Sequence, residues 1–139
     1  MNNLRLFDQE ILSDKETGTH GDCFRACLRT LFQHPFRDCP HPIAEDGESW
    51  NEDLWDYLEG HTFEPTYYPF RKDKDYSYLH TPVRRVVIAC GATVRTSITG
   101  ATHSVIWDMQ SQMLIHDPHP SRAGIITFDG FWTKGEVSG

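Results

Sequence analysis

Three short segments of the chain contain the residue types that a thiol-based acyl-transfer site needs. The segment GDC ends at Cys23 and precedes an apolar helical pattern, THSV contains His103 and opens a strand pattern, and HDP contains Asp117 and closes the next strand pattern. A cysteine nucleophile needs a base that takes its proton and a third group that orients the base. Since these residues supply one of each, we predict a Cys-His-Asp catalytic triad.

The position of Cys23 at the start of a helix favours the reactive thiolate. Asp22 is a good N-cap, and apolar residues follow it at helical spacing: Phe24, Cys27, Leu28, Leu31 and Phe32. The pattern predicts a helix from about Cys23 to Gln33 that ends before Pro35. The free N–H groups and the dipole at a helix N-terminus stabilise a thiolate. The alternative is a buried core thiol, which is what we expect for Cys27.

The histidine and the aspartate also have structural alternatives. A single histidine is more often a hydrogen-bonded structural residue than a base. An aspartate before a proline, as in Asp117-Pro118, is an ordinary turn former. Asp117 follows His103 by 14 residues, across a hairpin short enough to place their strands side by side. The ordered set therefore supports the triad better than any member does alone.

The order of predicted elements is that of an α+β domain. We predict helices over 23–33, from a capping box at Ser49 to Gly60, and over 82–90. Strands are predicted over 4–7, 63–69, 92–98, 102–108, 113–116, 125–128 and 131–133, with 109–112 as a hairpin turn. Residues 1–139 then form one domain in which the N-terminal helix carrying Cys23 packs on a C-terminal antiparallel sheet.

Composition and charge exclude several classes of function. The net charge of −7 and the scattered basic residues disfavour nucleic acid as a partner. No segment has the roughly 20 apolar residues of a membrane span, and the polar N-terminus is not a signal peptide. We therefore predict no nucleic-acid or membrane partner, a cytoplasmic location and four free thiols.

A structural zinc site is the main alternative use of these residues. Potential ligands are Cys23, Cys27, Cys39 and His41, with His116 and His119 as a second pair. The i, i+4 spacing of the first two cysteines on an apolar helix is not the short knuckle of structural zinc. Two prolines make the second histidine segment a rigid turn. We therefore predict no metal and no cofactor.

The segments GDCFRACLRTLF, HSVIWD, LIHDPHPSRAGI and DGFW together resemble the papain-like cysteine peptidase superfamily. The resemblance covers roughly residues 20–35 and 100–132, and it is closest to the compact bacterial double-glycine leader peptidases. More narrowly, it extends to short phage and bacterial proteins with Gly-Asp-Cys and His-Asp-Pro motifs. It implies a papain-like fold with Cys23 as nucleophile, His103 as base and Asp117 as the orienting residue. In a phage-encoded protein, the site of action is the host cytoplasm.

The chain departs from this family at the oxyanion hole. Papain-like peptidases usually place a glutamine six residues before the cysteine, and Thr17 occupies that position here. Loss of one oxyanion donor typically slows an enzyme by about two to three powers of ten. The candidates for a replacement donor are Thr17, Thr19, His20 and Gln9, with the backbone N–H of Cys23 as partner.

Two functions follow from the sequence. The first is a thiol-dependent peptidase or amidase that acts on a protein or peptide substrate through acyl transfer. The second is a catalytically inactive papain-like scaffold that binds or inhibits a protein target. The acidic charge and the missing glutamine favour this second function. A depressed thiol pKa and an open path to Cys23 would distinguish the enzyme from the scaffold.

Overall fold

A computed structural model of the protein describes residues 4–13, 16–17, 20–44, 49–82, 84–94, 96 and 102–134. The helices are α1 (Cys23–Phe32), α2 (Glu52–Gly60) and a 3₁₀ helix (Ser77–Leu79). The strands are β1 (Pro65–Pro69), β2 (Val86–Gly91), β3 (His103–Asp108), β4 (Met113–His116) and β5 (Gly130–Lys134). The predicted α+β class is confirmed. Neither α1 nor α2 has the length and apolar run needed to cross a membrane, and the described residues form no other helix that does.

The five strands form one antiparallel sheet with the order β1-β5-β2-β3-β4. In the pairing of β2 with β3, Gly91 lies opposite His103. The hairpin from β3 to β4 turns at 109–112 as predicted, and Asp117 follows the last residue of β4 directly. The sheet thus places the start of β3 and the end of β4 at neighbouring positions.

Each face of the sheet carries its own apolar core. On one face, α1 contacts β2 and β3, and the buried side chains of this core include Leu28, Leu31, Ile88 and Ile106. On the other face the core comprises Tyr76, Leu79, Val87, Met109 and Phe131. Alternation along β2 explains the division, because neighbouring residues of a strand point to opposite faces.

The two main helices form near the predicted positions. The first, α1, begins at Cys23 as expected and ends one residue earlier than predicted. The predicted capping box at Ser49 is wrong, because α2 begins at Glu52 and its N-cap is Asn51. The Asn51 side chain accepts a hydrogen bond from the backbone N–H of Asp53 at 3.0 Å.

The predicted helix over 82–90 is wrong, since Val86–Gly91 is the central strand β2. The apolar run VVIAC also fits a strand buried on both faces, and its β-branched residues favour that state. Gly91 does not end a helix. A Cβ atom at this position would lie 1.7 Å from the carbonyl oxygen of Thr127, so the glycine lets the 127 backbone approach β2 beside His103.

The remaining strand predictions have mixed outcomes. Those over 63–69, 102–108, 113–116 and 131–133 correspond to β1, β3, β4 and β5. Residues 4–7 and 125–128 form no strand; the backbone N–H of Phe7 instead donates to Thr30 Oγ1 at 3.0 Å, and that of Ile126 to the Ala92 carbonyl at 2.7 Å. Of the predicted strand 92–98, residues 92–94 are not in a strand, and 95 and 97–98 lie outside the described residues.

Candidate active site

Cys23 is the first residue of α1, and its side chain is only partly buried. Asp22 precedes the helix but does not cap it with its side chain. Its buried carboxylate instead accepts hydrogen bonds from the backbone N–H groups of Glu10 and Ile11, at 2.9 and 2.8 Å, and pairs with Arg25. The Asp22 carboxylate therefore does not occupy the N-terminal end of α1, and the positive end of the helix dipole lies beside the Cys23 side chain.

Gly21 fits a position where any side chain would collide with the preceding segment. Its backbone N–H donates to Ser13 Oγ at 2.9 Å. A Cβ atom at Gly21 would lie 2.9 Å from Ser13 Oγ and 3.1 Å from Gln9 Nε2. The turn before Cys23 is thus packed closely against residues 9–13, which fixes the direction in which the chain enters α1.

His103 and Asp117 form a buried pair. The distance between His103 Nε2 and Asp117 Oδ1 is 2.6 Å, and the two residues are 7% and 1% exposed. Because Nε2 is engaged by the carboxylate, Nδ1 is the ring nitrogen left for a second partner. This pairing joins the first residue of β3 to the residue after β4, as the sequence predicts.

The Asp117 carboxylate is held by two backbone N–H groups in addition to His103. Oδ1 also accepts from His119 at 2.9 Å, and Oδ2 accepts from Gly124 at 2.7 Å. Gly124 has a φ of +76°, a conformation that glycine adopts without a steric penalty. Burial alone would raise the pKa of Asp117, but these three hydrogen bonds lower it to about 2. Asp117 is therefore ionised and oriented.

The pKa of His103 reports on both neighbours in the candidate triad. Burial lowers it, but the hydrogen bond to Asp117 and then the hydrogen bond to and charge of Cys23 raise it to about 9. His103 is thus protonated at neutral pH. The structure brings Cys23, His103 and Asp117 together in the order that the sequence predicts.

The other three thiols have environments that oppose ionisation. Burial raises the pKa of Cys27 well above its ordinary value and that of Cys90 to about 12, although Ser104 hydrogen bonds to Cys90. Burial also raises the pKa of Cys39. All four cysteines are free in the structure. The buried thiols should therefore react slowly with electrophiles.

The candidate oxyanion donors are placed unequally. Thr17 and His20 are exposed, and Thr19 lies outside the described residues. The side-chain amide of Gln9 packs on Gly21, two residues before Cys23, but Nε2 donates to the carbonyl of Ile11 at 2.7 Å. Gln9 Oε1 is buried and has no hydrogen-bond partner among the described residues. The second N–H of the Gln9 amide remains available as a donor.

His116 is separated from the His103–Asp117 pair, as strand alternation predicts. Its Nε2 lies 2.9 Å from Asp8 Oδ1, and Arg122 also binds this aspartate, with Nη2 3.0 Å from Oδ2. Arg122 Nη1 in addition donates to the backbone carbonyl of Asp117 at 2.6 Å. Asp8 and Arg122 thus connect the N-terminal segment to the loop that carries the candidate orienting residue.

Sequence reasoning did not identify Asp8, Arg122, Gly91 or Gly124 as residues that support the site. No local sequence pattern marks these residues. Asp8 and Arg122 are 114 residues apart, Gly91 ends the central strand β2, and the course of the loop that carries Gly124 depends on the sheet. Within the described parts of the chain, no three His, Cys, Asp or Glu side chains form a group that could hold a metal ion.

Comparison with protein families, with curated proteins and with solved structures finds no match to this chain. The fold and the geometry around Cys23 together define an α+β protein with a helix-start thiol beside a buried histidine–carboxylate pair.

Proposed function

We propose that the protein is a papain-like cysteine hydrolase or acyl transferase whose nucleophile is Cys23. The observation that carries this proposal is the buried His103–Asp117 pair, 2.6 Å apart, next to a thiol at the first residue of a helix. A thiol, a base and a group that orients the base are the parts of a nucleophilic triad. The other three cysteines lack this combination.

Each residue of the triad has a distinct role in the proposed reaction. The Cys23 thiolate attacks a carbonyl carbon, and His103 gives its proton to the leaving amine or alcohol as the tetrahedral intermediate collapses to a thioester. Water or an amine then attacks the thioester, His103 takes the proton of this nucleophile, and the thiolate leaves. Asp117 keeps Nε2 engaged, so that Nδ1 faces the reacting atoms.

An aromatic cluster includes Phe24, the residue that follows the nucleophile in the sequence, and suggests an apolar group in the substrate. Phe24 follows Cys23, and its ring centroid is 5.2 Å from that of Trp50 and 5.1 Å from that of Trp132. Trp50 is 46% exposed, which is unusual for so large an apolar side chain. Such rings bind flat or apolar groups with a large contact area. A protein or peptide substrate with apolar side chains fits this surface.

The pH dependence of Cys23 alkylation by iodoacetamide, read by peptide mass spectrometry, tests the thiol–histidine pair. In the wild type we expect Cys23 to react faster than Cys27, Cys39 and Cys90, and His103→Ala to slow it about tenfold or more. His80→Ala is the matched control, because it removes an exposed imidazole next to the 3₁₀ helix. Equal reaction rates in the two variants would contradict the proposed pair.

Acyl transfer itself needs a second readout. With 4-nitrophenyl acetate as a generic acyl donor, we expect a burst of one nitrophenolate per protein and an acetyl group on Cys23 in the intact mass. Cys23→Ala should abolish both signals. A wild-type protein that is alkylated rapidly at Cys23 but neither releases nitrophenolate nor carries an acetyl group would refute the hydrolase.

The rival function is a catalytically inactive scaffold that binds a protein target. A specific observation favours it: Thr17 stands where the papain-like family has its glutamine, and the amide of Gln9, which packs on Gly21, already donates to Ile11. An active oxyanion hole needs donors aimed at the developing charge. Slow alkylation of Cys23 that is indifferent to His103→Ala would support the scaffold over the enzyme.

A further inference from the structure

A cavity of about 540 Å³ lies against the side of α1 that carries Arg25 and Arg29. Arg37 from the following loop also lines it, and Phe7 and Pro35 form apolar walls. The chain is acidic overall, with 20 acidic and 13 basic residues. Three arginines and two acidic residues, Glu10 and Asp38, thus line one cavity, which is more basic than the acidic chain as a whole.

Arg29 is a buried arginine of this cavity whose charge is paired only with an exposed carboxylate. It is only 9% exposed, and its Nε–H is buried with no partner in the described part of the chain. Nη1 donates to Glu10 Oε1 at 2.9 Å, but the side chain of Glu10 is 67% exposed. A buried charge normally has a fixed partner, whereas an exposed carboxylate is a weak and easily displaced one. The contacts of Arg29 are therefore those of an arginine that could exchange its carboxylate partner for another anion.

The other two arginines are placed to complete an anion site. Arg25 is fixed by Asp22 and donates through Nη1 to the carbonyl of Cys39 at 3.0 Å, which holds the far wall of the cavity. Arg37 is exposed, and its backbone carbonyl accepts a hydrogen bond from the Tyr57 hydroxyl. Asp38 also lines the cavity. It is exposed like Arg37, so the two charges are screened to a similar extent, and Arg29 supplies the buried charge.

The charges of Arg25 and Arg29 also act on the thiol of Cys39. Burial raises the pKa of Cys39, while the charges of Arg25 and Arg29 lower it. Cys39 lines the same cavity. Both guanidinium groups thus act on the same region of space, which is the condition for binding one anion between them.

From these contacts we propose that the cavity binds the phosphate group of a small soluble phosphate ester or anhydride, which replaces Glu10 as the partner of Arg29. Arginine forks match phosphate oxygens through paired, charge-assisted hydrogen bonds. A phosphate with two charges can engage Arg29 and Arg37 together, whereas the single carboxylate of Glu10 contacts only Arg29. The apolar walls of Phe7 and Pro35 leave room for the organic part of such a ligand.

This site is separate from the thiol chemistry. Successive residues of an α-helix are about 100° apart, so Arg25 and Arg29 lie roughly 200° around α1 from Cys23 and Cys27. Cys27 is buried in the core against the sheet. Phosphate binding and acyl transfer can therefore be tested independently, and the loss of one does not imply the loss of the other.

Isothermal titration with pyrophosphate at constant ionic strength tests the proposal. We expect saturable binding of one pyrophosphate per wild-type chain, weakened about tenfold or more in Arg37→Ala because a charge-assisted hydrogen bond is lost. Glu10→Gln should bind several-fold more tightly, since it removes the competing carboxylate. Arg71→Ala is the matched control, because Arg71 is an exposed arginine that does not line the cavity.

Three results would overturn the phosphate site. One is the absence of saturable binding at millimolar pyrophosphate. Another is a loss in Arg71→Ala equal to that in Arg37→Ala, which would show diffuse attraction to surface charge. The third is an unchanged or weaker affinity in Glu10→Gln, because Glu10 would then not occupy the position of the ligand.

Discussion

The substitution Asp117→Asn separates the charge of the Asp117 carboxylate from its size. The carboxylate accepts hydrogen bonds from His103, His119 and Gly124, and it is almost fully buried. An asparagine fills the same volume but replaces one acceptor atom with an N–H donor. The variant therefore weakens the ionic part of the His103 contact and leaves at least one donor without an acceptor.

The size of the ionic part follows from the pKa of His103. Its rise from 6.5 to about 9 corresponds to about 3 kcal/mol of preference for the protonated ring in the folded state. The hydrogen bond to Asp117 is the largest single cause that raises this pKa, and Cys23 also raises it. The pKa of Asp117, lowered to about 2, describes the same contact from the other side, so the two shifts are not added.

The sign of the pH dependence is set by the raised pKa of His103. The stabilisation is complete below pH 6.5 and is lost as the pH rises through about 9. Between pH 6.5 and 8 the wild type should lose about 1.5 kcal/mol of unfolding free energy from this group. Asp117→Asn should lose less than half of that, so the stability difference between the two proteins narrows as the pH rises.

Urea unfolding followed by tryptophan fluorescence measures this difference. The range from pH 6.5 to 8 lies below the ordinary pKa of about 8.5 for the thiols that unfolding exposes, and the thiols are common to both proteins. Asp56→Asn is a suitable control, because it removes an exposed carboxylate from α2. If wild type and Asp117→Asn lose the same free energy over this range, the carboxylate does not hold the proton on His103, and the proposed orienting role is wrong.

Two further predictions concern glycines near the site. Gly91→Ala places a Cβ atom 1.7 Å from the carbonyl oxygen of Thr127 and should lower the unfolding free energy by about 3 kcal/mol. Gly60→Ala is the control, since no atom lies within 4 Å of its added Cβ, and it should be neutral or stabilising in the same urea titration. Equal losses of unfolding free energy in the two variants would contradict the predicted clash at Gly91. Gly124→Ala should lose about 1 kcal/mol because its φ is +76°. It should also slow Cys23 alkylation, because the Gly124 N–H positions Asp117; an unchanged alkylation rate would show that this hydrogen bond does not support the site.

Local sequence patterns were sufficient where one element carries its own signal. The apolar spacing after Cys23 predicted α1 to within one residue at its end, and the hairpin at 109–112 predicted that His103 and Asp117 lie on neighbouring strands. Both are short-range features, since helical periodicity and hairpin closure depend only on nearby residues. The hairpin and the positions of the two residues at its strand ends were almost sufficient to predict the His103–Asp117 contact.

Local patterns failed where burial decided the outcome. The spacing of Val83, Val86, Val87 and Cys90 fits a helix, yet Val86–Gly91 lies between β3 and β5 as the central strand. A continuous apolar run is compatible with either state, and pairing partners far along the chain select one of them. The role of Asp22 changed for the same reason, because the backbone of residues 10–11 competes with α1 for its carboxylate.

The sequence by itself determined the order of the chemical groups: a thiol at a helix start, a histidine at a strand start and an aspartate at a strand end. Only the tertiary structure decided what surrounds them. The Asp8–Arg122 connection to Asp117, the close approach of Thr127 to Gly91 and the arginine-lined cavity behind Cys23 all join segments that are distant in the chain. Such contacts depend on how the sheet, α1 and the N-terminal segment pack together, which no local pattern of residues encodes.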